Sequence, residues 1–262
     1  MASASALAGC AGAVNQLPHV DSANLSLAQT EVAGAGGPPA RHVVTDDEVL
    51  AIYRSALGRI RPAATEVCRE MAVGVCEWRF VATKDRSLNA GAAPKGVIFV
   101  NRGIAEYADN EEQVAMVIAH EIGHQSANHV ATGQRNQAVG ALIGGLLLGA
   151  AGALASYRSP YGADVTRSAV QTGGNIGGAI GRISFSKEQE READYLSALI
   201  LYRSGLDLDK ARGFLVTLAR GSSHRETGML DTHPAGPERL AAWDKAVEEI
   251  RASNGALPKR KN

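Results

Sequence analysis

Aromatic residues make up only 5% of this chain, and cysteine occurs 3 times in 262 residues. So few cysteines exclude a disulfide-framed scaffold, and the scarcity of rings leaves an aliphatic core. Surplus charge is missing as well: 27 basic residues face 27 acidic ones, for a formal net charge of zero. A neutral balance argues against nucleic acid or an anionic surface as the main partner. The one basic run, Lys259-Arg260-Lys261, reads as a solvated tail over 255–262. At 45% hydrophobic and 21% charged, the chain can bury one good core.

What is present is a short line of chemistry. His120-Glu121-Ile122-Gly123-His124 spells H-E-x-x-H inside a stretch whose apolar residues, Val114, Val117, Ile118 and Ile122, recur at helical spacing. Residues four apart project from one helix face, so both imidazoles can reach one metal ion. Glu121 lies about 100° round the helix, close enough to poise a water for attack on a carbonyl. Asp109 as N-cap with Glu112 three residues later predicts the helix start. Gly123, inside the motif, marks a place where a neighbouring backbone approaches.

The three cysteines differ in kind. Cys10 closes Leu7-Ala8-Gly9-Cys10, which resembles the lipobox of bacterial lipoproteins, in which the cysteine is lipidated. Residues 1–10 then read as a signal remnant and 11–44, with its Gly34 to Gly37 and Pro38-Pro39 run, as a flexible tether. Ala11, in place of an aspartate, points such a lipoprotein to the outer membrane. Cys68 and Cys76 are close enough in sequence for a disulfide in an oxidising compartment and equally compatible with two buried thiols.

Thr45-Asp46-Asp47-Glu48 is a capping box opening a helix, with a second helical segment expected from Pro62 through Met71. Cys76 to Ala82 reads as a strand, Asn89 to Lys95 as a loop, and Gly96-Val97-Ile98-Phe99-Val100 as a second strand. If Val97, Ile98, Phe99 and Val100 form a sheet edge, they can pair with an extended peptide and hold it across the metal; a plain core strand is the alternative. Residues 138–156 are uncharged and as a helix would span about 28 Å. Gly and Ala make them weakly hydrophobic, favouring a buried or membrane-facing hairpin over a true span. The Gly-rich stretch that follows, to 183, can serve as a lid.

A catalytic zinc needs a third protein ligand. His129 is five residues past His124, on another helix face, and reads as structural. Val130 and Ala127 stand where H-E-x-x-H-x-x-G-x-x-H would need His and Gly, so that class fails. The predicted helix Ser186 to Arg203 carries Glu190 and Asp194 on one face and Glu188 and Glu192 on the opposite one. Ala193 and Ser197 beside Glu190 are small, as close helix approach requires. This favours Glu190 as ligand, with Asp194 accepting a hydrogen bond from a ligand imidazole. Glu188 and Glu192 fit a solvated face.

His120-Glu121-Ile122-Gly123-His124, then Glu190-Arg191-Glu192-Ala193-Asp194, then Thr232-His233-Pro234 with Arg239 resemble, in order, the motifs of the zinc metallopeptidase family of HtpX, the CAAX prenyl proteases and the periplasmic proteases BepA and LoiP. The resemblance covers roughly residues 45–250. It implies an α+β, zincin-like (gluzincin) domain, mostly helical with a small sheet, over 45–254. It implies one Zn2+ per chain held by His120, His124 and Glu190, with Glu121 as the base and Asp194 and Arg239 supporting the ligands from behind. His233 would take the fourth zinc position as a latency switch or stabilise the oxyanion. Tetratricopeptide repeats and several clear transmembrane helices are missing from these 262 residues, so the chain is most similar to the stand-alone, LoiP-like lipoprotein form. The expected function is endopeptidase action on protein or peptide substrates in envelope quality control, in the periplasm, with membrane attachment through Cys10, 138–156 as a further candidate contact, and no nucleic acid. A chaperone-like binding module with a latent zinc site is the alternative.

Overall fold

In the computed structural model of the chain, residues 12–136, 185–223, 233 and 236–261 are described. The chain divides into two units, 1–129 with 185–262, and 130–184. Of the second, only the helical residues 130–136 are described. Cys10, the 138–156 segment and the stretch to 183 therefore lie outside the described residues. Among the described residues, no helix is long and apolar enough to cross a membrane.

The first unit is a helical assembly with one small sheet. Helix α1 runs Ser22–Gly34, α2 Asp46–Met71, α3 Arg102–Tyr107, α4 Glu111–Ser126, α5 Lys187–Arg203, α6 Leu208–Ser223 and α7 Pro237–Ala252. The strands are β1 Arg79–Thr83, β2 Ala90–Ala93 and β3 Val97–Asn101. At the centre, α4 packs against α2, α5 and α6. Ile118, Ile122, Leu196 and Leu199 are fully buried there, each contributing about 1.5–3 kcal/mol of transfer free energy.

Local chemistry explains the element boundaries. Thr45 caps α2 through a reciprocal box with Glu48. The expected break at Pro62 does not occur, because α2 is one helix of 26 residues with Pro62 inside it. Ile60, Ala63, Ala64 and Val67 continue a single buried face through the proline. Pro62 and Gly58 lie on the exposed side, where the carbonyl freed by the proline is open to water. The cap of α4 is Asn110 rather than Asp109. The Asn110 side chain accepts from the Gln113 backbone N–H, and the Gln113 amide oxygen accepts from the N–H of Asp109.

The sheet corrects two expectations. Asn89 to Lys95 is not simply a loop, because Ala90–Ala93 pairs antiparallel with β3. Lys95 and Gly96, at φ 62° and 71°, close that hairpin. A Cβ at Gly96 would sit 2.2 Å from the Glu77 carbonyl oxygen, so only glycine fits. The order is β1-β3-β2, with β1 parallel to β3. Val97, Ile98, Phe99 and Val100 therefore belong to the central strand, and their backbone groups are already paired on both sides. They cannot serve as an open edge for substrate. The outer sides of β1 and β2 carry no strand among the described residues.

The tether and the solvated tail also need correction. Residues 12–44 include α1, capped by Asp21 and packed against α7. Arg212 clamps Glu31 of α1 with both terminal nitrogens, at 2.6 and 2.8 Å. The tail is not merely solvated: Gln16 N–H donates to the Lys259 carbonyl at 2.7 Å, and Lys261 N–H to the Val14 carbonyl at 2.9 Å. Backbone pairing and Arg clamps order a stretch whose composition signals flexibility, since composition reports local propensity and not docking. Cys68, in α2, is joined to Cys76 by a disulfide.

Candidate metal centre

Helices α4 and α5 cross where both have small residues. A Cβ at Gly123 would lie 3.0 Å from the Ala193 carbonyl oxygen and 3.1 Å from its Cα, so this glycine sets how closely the helices meet. Ser197 Oγ donates to the Met116 carbonyl at 2.9 Å and fixes the crossing. Ser186 starts α5 with a capping box to Gln189, which puts Glu190 in the first turn beneath the two motif histidines.

His120, His124, Glu190 and His233 each offer a ligand atom, and these atoms lie within 4.8 Å of one another, all buried. The two motif imidazoles turn Nε2 inward, 3.1 Å apart. Glu190 lies 3.5 Å from His120 Nε2 and 3.4 Å from His124 Nε2. His233 Nδ1 is 2.9 Å from Glu190 Oε1 and 3.3 Å from His120 Nε2. Phe185 stacks on His124 with ring centroids 3.8 Å apart and closes one wall.

Each motif histidine turns its other nitrogen outward to a partner. His120 Nδ1 meets Asp194 Oδ1 at 2.9 Å. Arg239, in the first turn of α7, donates to both Asp194 oxygens at 2.7 and 2.8 Å and lies 3.2 Å from Glu190 Oε2. His124 Nδ1 meets His129 Nδ1 at 3.0 Å, and His129 Nε2 meets Glu192 Oε2 at 2.9 Å. Glu192 is thus not on a solvated face but fully buried. Sequence reasoning placed it among exposed acids because helical spacing says which residues share a face, not what covers that face. The covering segment is 14–15, remote in sequence. His129 does prove buried and bonded within the protein, as a structural reading requires.

The electrostatics follow from burial. It pushes His120 down, but Asp194 and Glu190 outweigh it and hold the imidazole up at about 9. For His124, burial prevails over Glu190 and drives it well below the ordinary histidine value. Glu121 is pushed up by burial. Burial also opposes ionisation of Glu190 and Asp194, yet their neighbours, His233 and Arg239 for Glu190 and Arg239 foremost for Asp194, hold both carboxyls down.

A dication fits these residues. Both Glu121 oxygens and Glu190 Oε2 are buried without a hydrogen-bond partner, a costly condition unless a ligand completes the site. With the ligand histidines neutral, as metal binding requires, Glu121, Glu190 and Asp194 set three buried acids against the single guanidinium of Arg239, and a divalent cation can take the place of the protons otherwise held there. Imidazole and carboxylate donors suit zinc. Such a donor set on an H-E-x-x-H helix, facing an acidic side chain on a second helix, has the arrangement of a metallopeptidase centre of the gluzincin kind.

Residues 57–247 match the family described as Peptidase family M48. The beta-barrel assembly-enhancing protease of Escherichia coli (strain K12) is 34% identical over 177 residues, covering 66% of this chain and 35% of that one. Metalloprotease LoiP from the same organism is 30% identical over 154 residues, 59% of this chain and 56% of its own. The mitochondrial metalloendopeptidase OMA1 of Arabidopsis thaliana is 29% identical over 174 residues, covering 66% and 32%. The chain belongs to peptidase family M48. Its fold is the family's metallopeptidase domain, mostly helical with a three-stranded sheet, and its cofactor is zinc. The matches span about a third of the assembly-enhancing protease and just over half of LoiP.

Proposed function

We propose that this chain is a zinc endopeptidase that cuts protein substrates in cell-envelope quality control, with 45–254 as its catalytic domain. The observation that carries the reading is the buried His120-His124-Glu190-His233 cluster with both oxygens of Glu121 orphaned beside it. His120 and His124 would hold the metal through Nε2 and Glu190 through its carboxylate. When bound, zinc supplies Lewis acidity toward the scissile carbonyl and lowers the pKa of water. Glu121 takes the proton of the attacking water on a carboxylate oxygen and delivers it to the leaving amine nitrogen. Burial raises its pKa, which favours its holding the proton between the two transfers. Asp194 holds His120 by its Nδ1 and is itself held by Arg239.

His233 occupies the space a substrate carbonyl needs, against Glu190 and His120 and 3.7 Å from Glu121. It acts as a latch that must withdraw before cleavage, and after moving it can face the oxyanion. Substrate backbone adds to the outer side of β2, the edge strand that packs against α4. The Gly/Ala-rich 138–183 insertion is a candidate lid.

An oxidising compartment accords with the Cys68–Cys76 disulfide. Together with the lipobox-like Cys10 followed by Ala11, this supports a periplasmic lipoprotein at the outer membrane. A closed binding module that never cuts is the second reading, favoured by the His233–Glu190 contact alone. Zinc content and casein cleavage should be measured together on wild type, Glu121→Gln and His233→Ala. Bound zinc throughout, cleavage lost in Glu121→Gln and raised in His233→Ala, establishes a latched protease. Zinc without cleavage in all three favours the binding module, and absence of zinc from wild type defeats both. Carbonate extraction of Cys10→Ala tests the anchor: retention in the membrane would assign attachment to 138–156 instead.

A further inference from the structure

Glu192 receives three N–H groups. Val14 N–H donates to Oε2 and Asn15 N–H to Oε1, each at 2.7 Å, and His129 Nε2 lies 2.9 Å from Oε2. A carboxylate in this setting only accepts, so His129 Nε2 must carry a hydrogen. In the neutral ring, Nδ1 is then the acceptor, and the group it faces, His124 Nδ1 at 3.0 Å, must be the donor. With its hydrogen on Nδ1, His124 is left with a lone pair on Nε2, the nitrogen turned toward Glu190 and His120.

We propose that His129 and Glu192 are positioning residues that fix the metal-binding tautomer of His124, and that the Val14–Asn15 strap holds the outer end of this chain. The proposal rests on reading His124 as a zinc ligand. It gives the two motif histidines separate supports. His120 is oriented in one step by Asp194, backed by Arg239. His124 is oriented in two steps, and the last support comes from a segment more than a hundred residues away in sequence. The strap is held in turn by the tail, through Lys261 N–H to the Val14 carbonyl and Gln16 N–H to the Lys259 carbonyl. All the side chains in this relay are buried, so water cannot substitute for a missing partner without rearrangement.

The relay has a direction, which makes it testable. Glu192→Gln keeps the shape but places an amide N–H2 among donors. Whichever way the amide turns, its N–H2 opposes the Asn15 or the Val14 N–H and loosens the strap. Turned with its nitrogen toward His129, it also makes Nε2 an acceptor, which reverses His124 and puts a hydrogen on the nitrogen meant for the metal. His129→Gln, by contrast, can keep the original order, with its oxygen accepting from His124 and its nitrogen donating to Glu192. His129→Ala removes both.

Zinc affinity should be measured by chelator competition on the full chain, alongside the visible spectrum of the Co2+-substituted protein and the melting of the metal-free protein. Affinity is expected to fall about 10- to 100-fold in Glu192→Gln and His129→Ala, with altered Co2+ bands, and to recover in His129→Gln. Wild-type affinity in Glu192→Gln, or equal loss in His129→Ala and His129→Gln, would overturn the relay. If the metal-free Glu192→Gln protein does not fold, the contrast between His129→Ala and His129→Gln still decides. His124→Ala is the control for the underlying reading: should it bind zinc as tightly as wild type, the metal assignment itself fails.

Discussion

Two buried charge clusters in this protein behave as opposites in space. Around Glu106, itself 1% exposed, Arg41, Arg86 and Arg102 donate at 2.7, 3.0 and 2.8 Å. Both carboxylate oxygens are satisfied. Burial alone would raise this carboxyl, but the arginines outweigh it and hold it down. Around Glu121 and Glu190 the acids outnumber the lone guanidinium, and three carboxylate oxygens find no hydrogen-bond partner. The first cluster is complete within the protein and ties 41–44, the sheet loop and α3 together. The second is complete only with a ligand. Unfinished hydrogen bonding, more than burial or charge, separates the site from the scaffold.

Substitutions can sharpen that contrast. The largest effect is expected at the unfinished cluster: Glu121→Gln should lower kcat by about 10²- to 10⁴-fold while zinc content stays at the wild-type level. Retained cleavage would remove Glu121 from the chemistry. Chelation comes next. If wild type is assayed with free zinc about a thousandfold above Kd, EDTA should cost roughly 4 kcal/mol of stability, seen as a lowered Tm. An unchanged Tm would mean that the surplus acids are neutralised in some other way.

At the finished cluster the signs invert. Glu106→Gln should leave zinc content alone and destabilise by about 3 kcal/mol, the low end for a broken buried pair because Arg41 and Arg86 reach water. The pH dependence follows from the lowered carboxyl. Its stabilisation is present above the unfolded glutamate pKa, about 4.3, and is lost as pH falls through the lower folded value. Urea midpoints should therefore show the gap between wild type and Glu106→Gln closing in acid and constant above pH 6 or so. A gap that widened in acid would refute this account. The smallest effect concerns neither cluster: replacing both Cys68 and Cys76 by serine should cost about 2.5 kcal/mol, as a short closed loop allows, without changing zinc affinity.

Legibility in the sequence followed the range of the interactions. His120, Glu121 and His124 could be placed together because helix geometry alone puts i and i+4 on one face. Glu190 and Asp194 could be paired for the same reason, and Ala193 and Ser197 beside them signalled a close helix crossing. Gly123 was interpretable as a site of backbone approach, and Ala193 is what approaches it. The substrate strand was misread because a run of Val, Ile and Phe indicates a strand but not its rank in the sheet. Rank depends on what pairs on either side, and here Ala90–Ala93 supplies the second side from a stretch that looks like loop. Glu192 was misread for a related reason: its cover arrives from residues 14 and 15.

The sequence by itself determined the metal-binding helix, the acidic helix that meets it, and the reaction class their donor atoms permit, since each rests on periodicity and side-chain chemistry within one short segment. Tertiary structure alone decided which carboxylates stay unsatisfied, which strand is the edge, that the N-terminal stretch and the tail dock, and that His233 stands against Glu190. Those outcomes depend on which remote groups reach a given atom and on whether water still can, and no local pattern carries that information.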